Sequence, residues 1–232
     1  MNYIINPSFN IFCGFEVNGQ HIESALDQTN EFLVTIPSSV YKNIDYKTTS
    51  SIVGSMLCQS IANATGSIVN PIEKGHPDII PKSGETSSEE ELRNYPVGLE
   101  IKCTVGNITK GANLRAGQPR ISFLEGITWQ SHHREVDQLL GLVWDFVNCE
   151  LDFNYPKITA IFYADNLFID DWGEISGTEG RNTKVTGMKV SGKEKMGRGW
   201  VALIDDQLYR KIYQKIMKFS RDCQAFCVKS RS

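Results

Sequence analysis

The stretch VGLEIKCTV, residues 97–105, alternates apolar side chains with polar or small ones along its whole length. This period of two predicts a β-strand that turns one face to the core. Glu100 and Lys102 then share the opposite face, roughly 6–7 Å apart along the strand. The apolar face consists of Val97, Leu99, Ile101, Cys103 and Val105.

A further acidic residue, Asp78, precedes this strand in the run HPDIIP, residues 76–81. Prolines on both sides limit the run to a short strand at the edge or end of a sheet. Residues 82–94 are polar and acidic, which predicts a solvated loop with room for one helical turn. Asp78 and Glu100 are therefore candidates to meet at the end of a β-hairpin.

Apolar residues at helical spacing predict a helix over 48–64, with a cap at Thr48, Thr49 or Ser50 and an end at Gly66. A similar stripe predicts a helix over 131–148. The members of this second stripe are Val136, Leu139, Leu140, Val143 and Val147.

Runs rich in β-branched and aromatic residues predict strands over 158–164 and 200–204. A final helix begins at Asp205 or Asp206 and extends to about 221, with Leu208, Ile212, Ile216 and Phe219 turned inward. Residues 1–46 are poorly defined apart from a helix over 21–34. The pattern predicts one α/β domain over 1–232, with a central mixed sheet flanked by helices.

The composition is that of an ordinary globular protein, with 41% hydrophobic and 22% charged residues. The net charge of −3 gives no general basicity, so any nucleic-acid surface must be a local patch. The six cysteines are scattered without a CxxC pair, which favours reduced thiols over a zinc site. Because no signal peptide or membrane span is visible, we expect a cytoplasmic protein.

Two carboxylates and a lysine are the groups that metal-assisted hydrolysis of a phosphodiester requires. Mg²⁺ takes oxygen ligands, and a positioned ammonium group can orient the attacking water. We expect Asp78 and Glu100 to bind the metal, with the main-chain carbonyl of Ile101 or Cys103 as a further ligand. An ExK pair alone more often marks a solvated face, so this hypothesis depends on Asp78 and on the surrounding sequence.

The sequence resembles the PD-(D/E)XK nuclease superfamily, and within it type II restriction endonucleases of the ScaI-like group. The segments that carry the resemblance are NPIEKGHPDIIP, PVGLEIKCTVGN and, downstream, HHREVDQLLGLVWDF. The resemblance covers about residues 66–147 and 183–204. It implies a restriction-endonuclease-like core in which Asp78, Glu100 and Lys102 are catalytic and one or two Mg²⁺ ions are bound. It also implies a glutamine on the helix after the strand, a position that Gln138 fits.

The sequence departs from the family pattern at one position. Many relatives carry a further acid on the helix before the Asp, yet residues 48–64 contain no carboxylate. Gln59 can substitute, Glu23 or Glu31 can approach from upstream, or the position is absent. Whether a second metal ion binds depends on which of these alternatives is correct.

Two segments have the composition of DNA-contact loops. Residues 106–130 and the helix start after them offer side chains that contact bases or phosphates, and residues 178–199 hold a basic cluster. An ordinary surface loop is the alternative for each segment. His132 and His133 are neighbours in a predicted helix and diverge by about 100°, which disfavours a shared zinc ion. The candidate DNA contacts are Lys110, Asn113, Arg115, Gln118, Arg120, His132, His133, Arg134, Arg181, Lys184, Lys189, Lys193, Lys195 and Arg198.

The acidic residues between these segments predict a different structure. Asp165, Asp170, Asp171 and Glu174 lack the spacing of a calcium loop, which favours a surface turn away from DNA.

The resulting hypothesis is a type II site-specific deoxyribonuclease that hydrolyses double-stranded DNA with Mg²⁺. Palindromic targets pair with two-fold symmetric proteins, so we expect a homodimer. The resemblance also implies a cognate DNA methyltransferase as a functional partner. The alternatives are a structure-selective repair or junction nuclease on the same scaffold and a catalytically inactive DNA-binding module.

Overall fold

The structure, a computed structural model, describes residues 2–73, 75–105, 130–131, 138–147, 155–174, 186–207, 209–210 and 213. The helices of this part are α1 (Gly19–Thr35), α2 (Ser38–Asn43), α3 (Tyr46–Thr65), α4 (Glu89–Arg93) and α5 (Val190–Arg198). The strands are β1 (Tyr3–Ile5), β2 (Asn10–Phe12), β3 (Glu16–Asn18), β4 (Ile68–Val69), β5 (Ile79–Ile80), β6 (Glu100–Val105), β7 (Gln130–Ser131), β8 (Leu139–Val147), β9 (Tyr155–Ala164), β10 (Thr186–Gly187) and β11 (Trp200–Ile204).

A mixed sheet of five strands forms the centre of the protein, in the order β1-β11-β9-β8-β6. β6 and β8 are parallel, whereas the other neighbouring strands are antiparallel. Helices α1 and α3 cover one face, and α5 with Tyr209 and Tyr213 covers the other. The predicted α/β class and the central mixed sheet with flanking helices are confirmed.

Helices α1 and α3 pack against one face of the sheet and contribute to its hydrophobic core. α1 begins at Asn18, whose side chain accepts from the main-chain N–H groups of Gln20 and His21, and it contains the predicted helix over 21–34. α3 ends, as predicted, at Gly66 in the left-handed conformation. Its predicted caps are wrong, because Asp45 begins the helix and accepts from Thr48 N at 2.7 Å.

The predicted helix over 131–148 is wrong where the structure describes it. Residues 139–147 are strand β8, which lies between β6 and β9 with all nine residues buried. Both sheet faces are covered here, so the strand is apolar apart from the buried Asp145 and loses the alternation of a half-buried strand. A continuous apolar run satisfies helical spacing as well as any other, which explains the error. Residues 132–137 lie outside the described residues.

The other strands occur where the sequence predicts them. β5 falls within the HPDIIP run, β9 contains the predicted strand over 158–164, and β11 matches 200–204. Residues 82–94 form a short 3₁₀ turn followed by α4. Asp206 accepts from Tyr209 N at 3.2 Å and begins the final helix, whose four predicted inward residues lie outside the described part.

The basic segment differs from the predicted loop. Residues 190–198 form α5, a helix that buries Gly192, Met196 and Gly197 against the sheet and the turn after β9. Its glycines allow close packing, and the tertiary contacts outweigh the low helix propensity of the sequence. Among the described helices, none has both the length and the apolar character needed to cross a lipid bilayer.

Candidate active site

The segment that carries Asp78 approaches β6 unusually closely. Ile79 and Leu99 exchange two main-chain hydrogen bonds, of 3.1 and 2.8 Å, beside the start of the strand. Gly98 has a φ of +153°, and a Cβ atom there would lie 2.3 Å from the carbonyl oxygen of Ile79. A glycine at this position therefore permits the contact that brings Asp78 to the edge of the sheet.

Asn70 holds the same segment from the other side. Its main-chain N–H donates to Asp78 O at 2.9 Å, and its buried side-chain amide donates to Pro77 O at 3.2 Å and to Leu92 O at 2.8 Å. A Cβ atom on Gly75 would overlap the Asn70 amide. The backbone on both sides of Asp78 is therefore fixed before any ligand binds.

The Asp78 carboxyl group reaches the main chain of β6. Its Oδ2 atom accepts from the N–H of Ile101, between Glu100 and Lys102, at 2.8 Å. Burial and the nearby Glu100 carboxylate raise the pKa of Asp78 to about 6, although the Ile101 N–H, Lys102 and His76 oppose the shift. The half-buried Asp78 carboxyl group next to the buried Glu100 carboxylate is a favourable setting for a cation.

Glu100 and Lys102 share one face of β6, as the alternation predicts. Glu100 Oε1 lies 2.9 Å from Lys102 Nζ, and the Glu100 side chain is only 3% exposed. In the register of the sheet, Glu100 lies beside Leu139 of β8, on a face that other apolar side chains cover. The solvated-face alternative is therefore wrong for Glu100, which is a buried carboxylate beside an ammonium group.

A histidine joins this pair. His76 Nδ1 lies 3.3 Å from Glu100 Oε2, so each carboxylate oxygen has a nitrogen beside it. The sequence hypothesis did not include His76, although its position two residues before Asp78 is a signal that could have indicated it. The four side chains form a cluster at the edge strand of the sheet.

A cavity of about 570 Å³ lies between α3 and the part of this cluster formed by His76 and Asp78, whereas Glu100 and Lys102 do not line it. Asp78, His76 and Ile101 line one side, and small or polar residues of α3 line the other. The lining includes Ser50, Ser51, Gly54, Ser55, Cys58 and Gln59. The cavity leaves room for water or for part of a substrate next to Asp78.

The candidate auxiliary residues take different positions. Gln59 lines the cavity and donates to Asn63 at 2.9 Å, whereas Glu23 and Glu31 are exposed on α1 and do not line the cavity. Gln138 is not on a helix after the strand, because it immediately precedes β8. Its side-chain oxygen accepts from the Tyr163 hydroxyl at 3.2 Å.

The carboxylate oxygens of the cluster suit Mg²⁺ better than they suit a softer metal, which prefers a closed set of nitrogen and sulfur ligands. Within the described residues, no group of three or more His, Cys, Asp and Glu side chains is arranged to hold an ion. Mg²⁺ is commonly held by one or two carboxylates, with waters and substrate phosphate completing the shell. Asp78 and Glu100 could supply these carboxylates, and Ile101, which lines the cavity with Asp78, is the candidate for a carbonyl ligand.

Four of the candidate DNA contacts lie within the described residues. Lys189, Lys193 and Arg198 are exposed, and Arg198 lies 3.8 Å from Glu194 on α5. Lys195 contacts other protein groups instead. The remaining candidates, outside the described residues, are Lys110, Asn113, Arg115, Gln118, Arg120, His132, His133, Arg134, Arg181 and Lys184.

Lys195 fixes the turn that follows β9. Its Nζ atom donates to Asp171 Oδ2 at 2.6 Å and to Asn166 O at 2.7 Å, and it lies 4.4 Å from the centre of the Phe168 ring. Asp171 is 3% exposed, so the predicted surface turn is wrong for this residue. Burial alone would raise the pKa of Asp171, but Lys195 and the Phe168 N–H hold it below its usual value.

The basic helix and the carboxylates lie at the same end of the sheet. Leu139 pairs with Glu100 on one side and with Ala164, the last residue of β9, on the other. β11 begins at Trp200 beside Phe162, so α5 enters the sheet at this end as well. The C-terminal end of α5 and Glu100 therefore lie at the same end of the sheet.

Comparison of the chain with protein-family models, with curated proteins and with solved structures found no match.

Proposed function

We propose that the protein is a Mg²⁺-dependent endonuclease of the type II restriction class, built on a restriction-endonuclease-like core. The observation that carries the proposal is the hydrogen bond from Ile101 N to Asp78, which holds this carboxyl group beside Glu100 and Lys102. Segments distant in the sequence thus supply two carboxylates and an ammonium group to one point. This donor set suits phosphodiester hydrolysis.

The proposed roles follow from the chemistry of each group. Asp78 and Glu100 bind Mg²⁺, which when bound polarises the scissile phosphate and lowers the pKa of a water molecule. Lys102 orients the attacking water and offsets the negative charge that develops on the phosphate. The water molecule loses a proton as its oxygen bonds to phosphorus, the bond from phosphorus to the 3′ oxygen breaks, and this oxygen takes up a proton from solvent, which leaves 5′-phosphate and 3′-hydroxyl ends.

The proposed substrate is double-stranded DNA with a short palindromic target, cut by a homodimer with one site per strand. We expect the exposed Lys189 and Lys193 to contact the DNA backbone. A methyltransferase that protects the same target in the host belongs to the proposal.

Digestion of a fully sequenced plasmid, with Mg²⁺ and with EDTA, tests this function. We expect discrete fragments that require Mg²⁺, and sequencing of their ends gives the target and the cut position. Cleavage only of branched or damaged substrates would favour the structure-selective nuclease. Binding without cleavage at any Mg²⁺ concentration would favour the inactive DNA-binding module.

A further inference from the structure

His76 contacts the buried carboxylate of the candidate active site. Its Nδ1 atom lies 3.3 Å from Glu100 Oε2, on the opposite oxygen from Lys102. An ionised carboxylate can only accept hydrogen bonds, so the contact is a hydrogen bond in the tautomer that carries its proton on Nδ1. Oε2 of Glu100 therefore contacts the imidazole, whereas Oε1 forms an ion pair with the Lys102 ammonium group.

The main chain of His76 is fixed independently of its side chain. Its N–H donates to Arg93 O at 3.1 Å, and its carbonyl oxygen accepts from Tyr95 N at 2.7 Å. The imidazole is about one-third exposed and lines the cavity beside Asp78. A donor on a backbone held at both ends can set the orientation of the group that it contacts.

From this geometry we infer that His76 is a positioning residue, which holds Glu100 in the orientation that binds the metal. The inference rests on the proposed function, because it assigns His76 a role at the same site. Without the Nδ1 donor, Glu100 can rotate so that both of its oxygens face Lys102. Lys102 already lies 2.9 Å from Oε1, and a second contact would engage the remaining oxygen of Glu100 and hold the ammonium group more firmly away from a substrate.

Binding of Mn²⁺ alone, measured by calorimetry, tests the inference without reference to cleavage. Partners that orient metal ligands typically contribute about 10- to 100-fold to affinity. We expect His76→Ala to weaken Mn²⁺ binding by at least about 10-fold. His76→Asn, whose amide can donate from nearly the same place, should restore most of the affinity.

His21→Ala is the matched control, because His21 lies on α1 and contacts Asn18 at the helix start. It should bind Mn²⁺ as the unsubstituted protein does. Thermal unfolding of each variant separates positioning from folding. Equal Mn²⁺ affinity in His76→Ala, or equal weakening in both His76 variants, would overturn the inference.

Two further outcomes separate the inference from the proposed function. If the unsubstituted protein binds no Mn²⁺, the proposed function fails. The contact itself is tested without metal by the ¹⁵N NMR shifts of the His76 ring, which we expect to show a protonated Nδ1. An unprotonated Nδ1 would overturn the inference while leaving metal binding by Asp78 and Glu100 intact.

Discussion

The Oδ2 atom of Asp78 lies 2.8 Å from the main-chain nitrogen of Ile101, the residue between Glu100 and Lys102 on β6. An N–H group on an edge strand has no strand neighbour to bond, and here the carboxyl group of a separate segment takes that place. The bond fixes Asp78 against the strand that carries the other two proposed catalytic residues. It relates residues 23 positions apart in the sequence.

Asp78→Asn should change how stability depends on pH. The folded protein has an Asp78 pKa of about 6, above its ordinary value of 3.8, so folding favours the protonated form. This contribution to stability is complete below about pH 4 and is lost as the pH rises through 6. Between pH 4 and pH 7, the free energy of unfolding of Asp78→Asn should therefore rise on the order of 2 kcal/mol relative to that of the unsubstituted protein.

Urea unfolding of both proteins in EDTA, at several pH values, measures this difference. Asparagine keeps an oxygen that can accept from Ile101 N but does not titrate, so groups that do not interact with Asp78 cancel in the comparison. A difference that stays constant from pH 4 to pH 7 would show that Asp78 titrates as an exposed aspartate does.

Gly98→Ala should lower the free energy of unfolding by about 2–4 kcal/mol and abolish cleavage. The new Cβ atom would overlap the Ile79 carbonyl and push the Asp78 segment away from β6. Gly66→Ala is the matched control, because Gly66 also has a positive φ but has no atom within 4 Å of a Cβ there. It should cost only about 1 kcal/mol and leave cleavage unchanged. Equal losses in the two variants would contradict the close approach at Gly98.

The two lysines of α5 should differ in what they contribute. Lys195→Ala removes the partner of a buried aspartate and should cost about 2–3 kcal/mol of stability, measured by urea unfolding. Lys193→Ala should leave stability unchanged but reduce the salt dependence of DNA affinity by about one phosphate contact. A stable Lys195→Ala, or a Lys193→Ala with an unchanged salt slope, would count against the respective role.

The sequence predicts strand β6 correctly but not its neighbour β8. Strict alternation identifies β6 and places Glu100 and Lys102 on one face, because a period of two survives in any half-polar strand. Strand β8 has no exposed polar face, so its sequence lacks a period of two and its apolar residues also satisfy helical spacing. The neighbours of a strand, which decide how many of its faces are buried, are not encoded in its own residues.

Long-range partners explain the remaining differences. The pairing of Lys195 with Asp171 turns an apparent DNA contact into a structural one, and no local spacing indicates it. His76 reaches Glu100 across 24 positions, through a backbone held by Asn70, Arg93 and Tyr95. Gly98, by contrast, could be singled out from the sequence as unusual beside Glu100, although its reason is a contact with Ile79 that only the fold reveals.

The most direct test of the account is plasmid cleavage by Lys102→Ala in Mg²⁺, compared with the unsubstituted protein and with Lys82→Ala, a substitution of an exposed lysine outside the cluster. We predict that Lys102→Ala lowers the cleavage rate by at least about 100-fold while specific DNA binding persists, because charge stabilisation is lost and the binding surface is not. Lys82→Ala should cleave normally. Unchanged turnover in Lys102→Ala would contradict the assignment of the Asp78, Glu100 and Lys102 cluster as a nuclease active site.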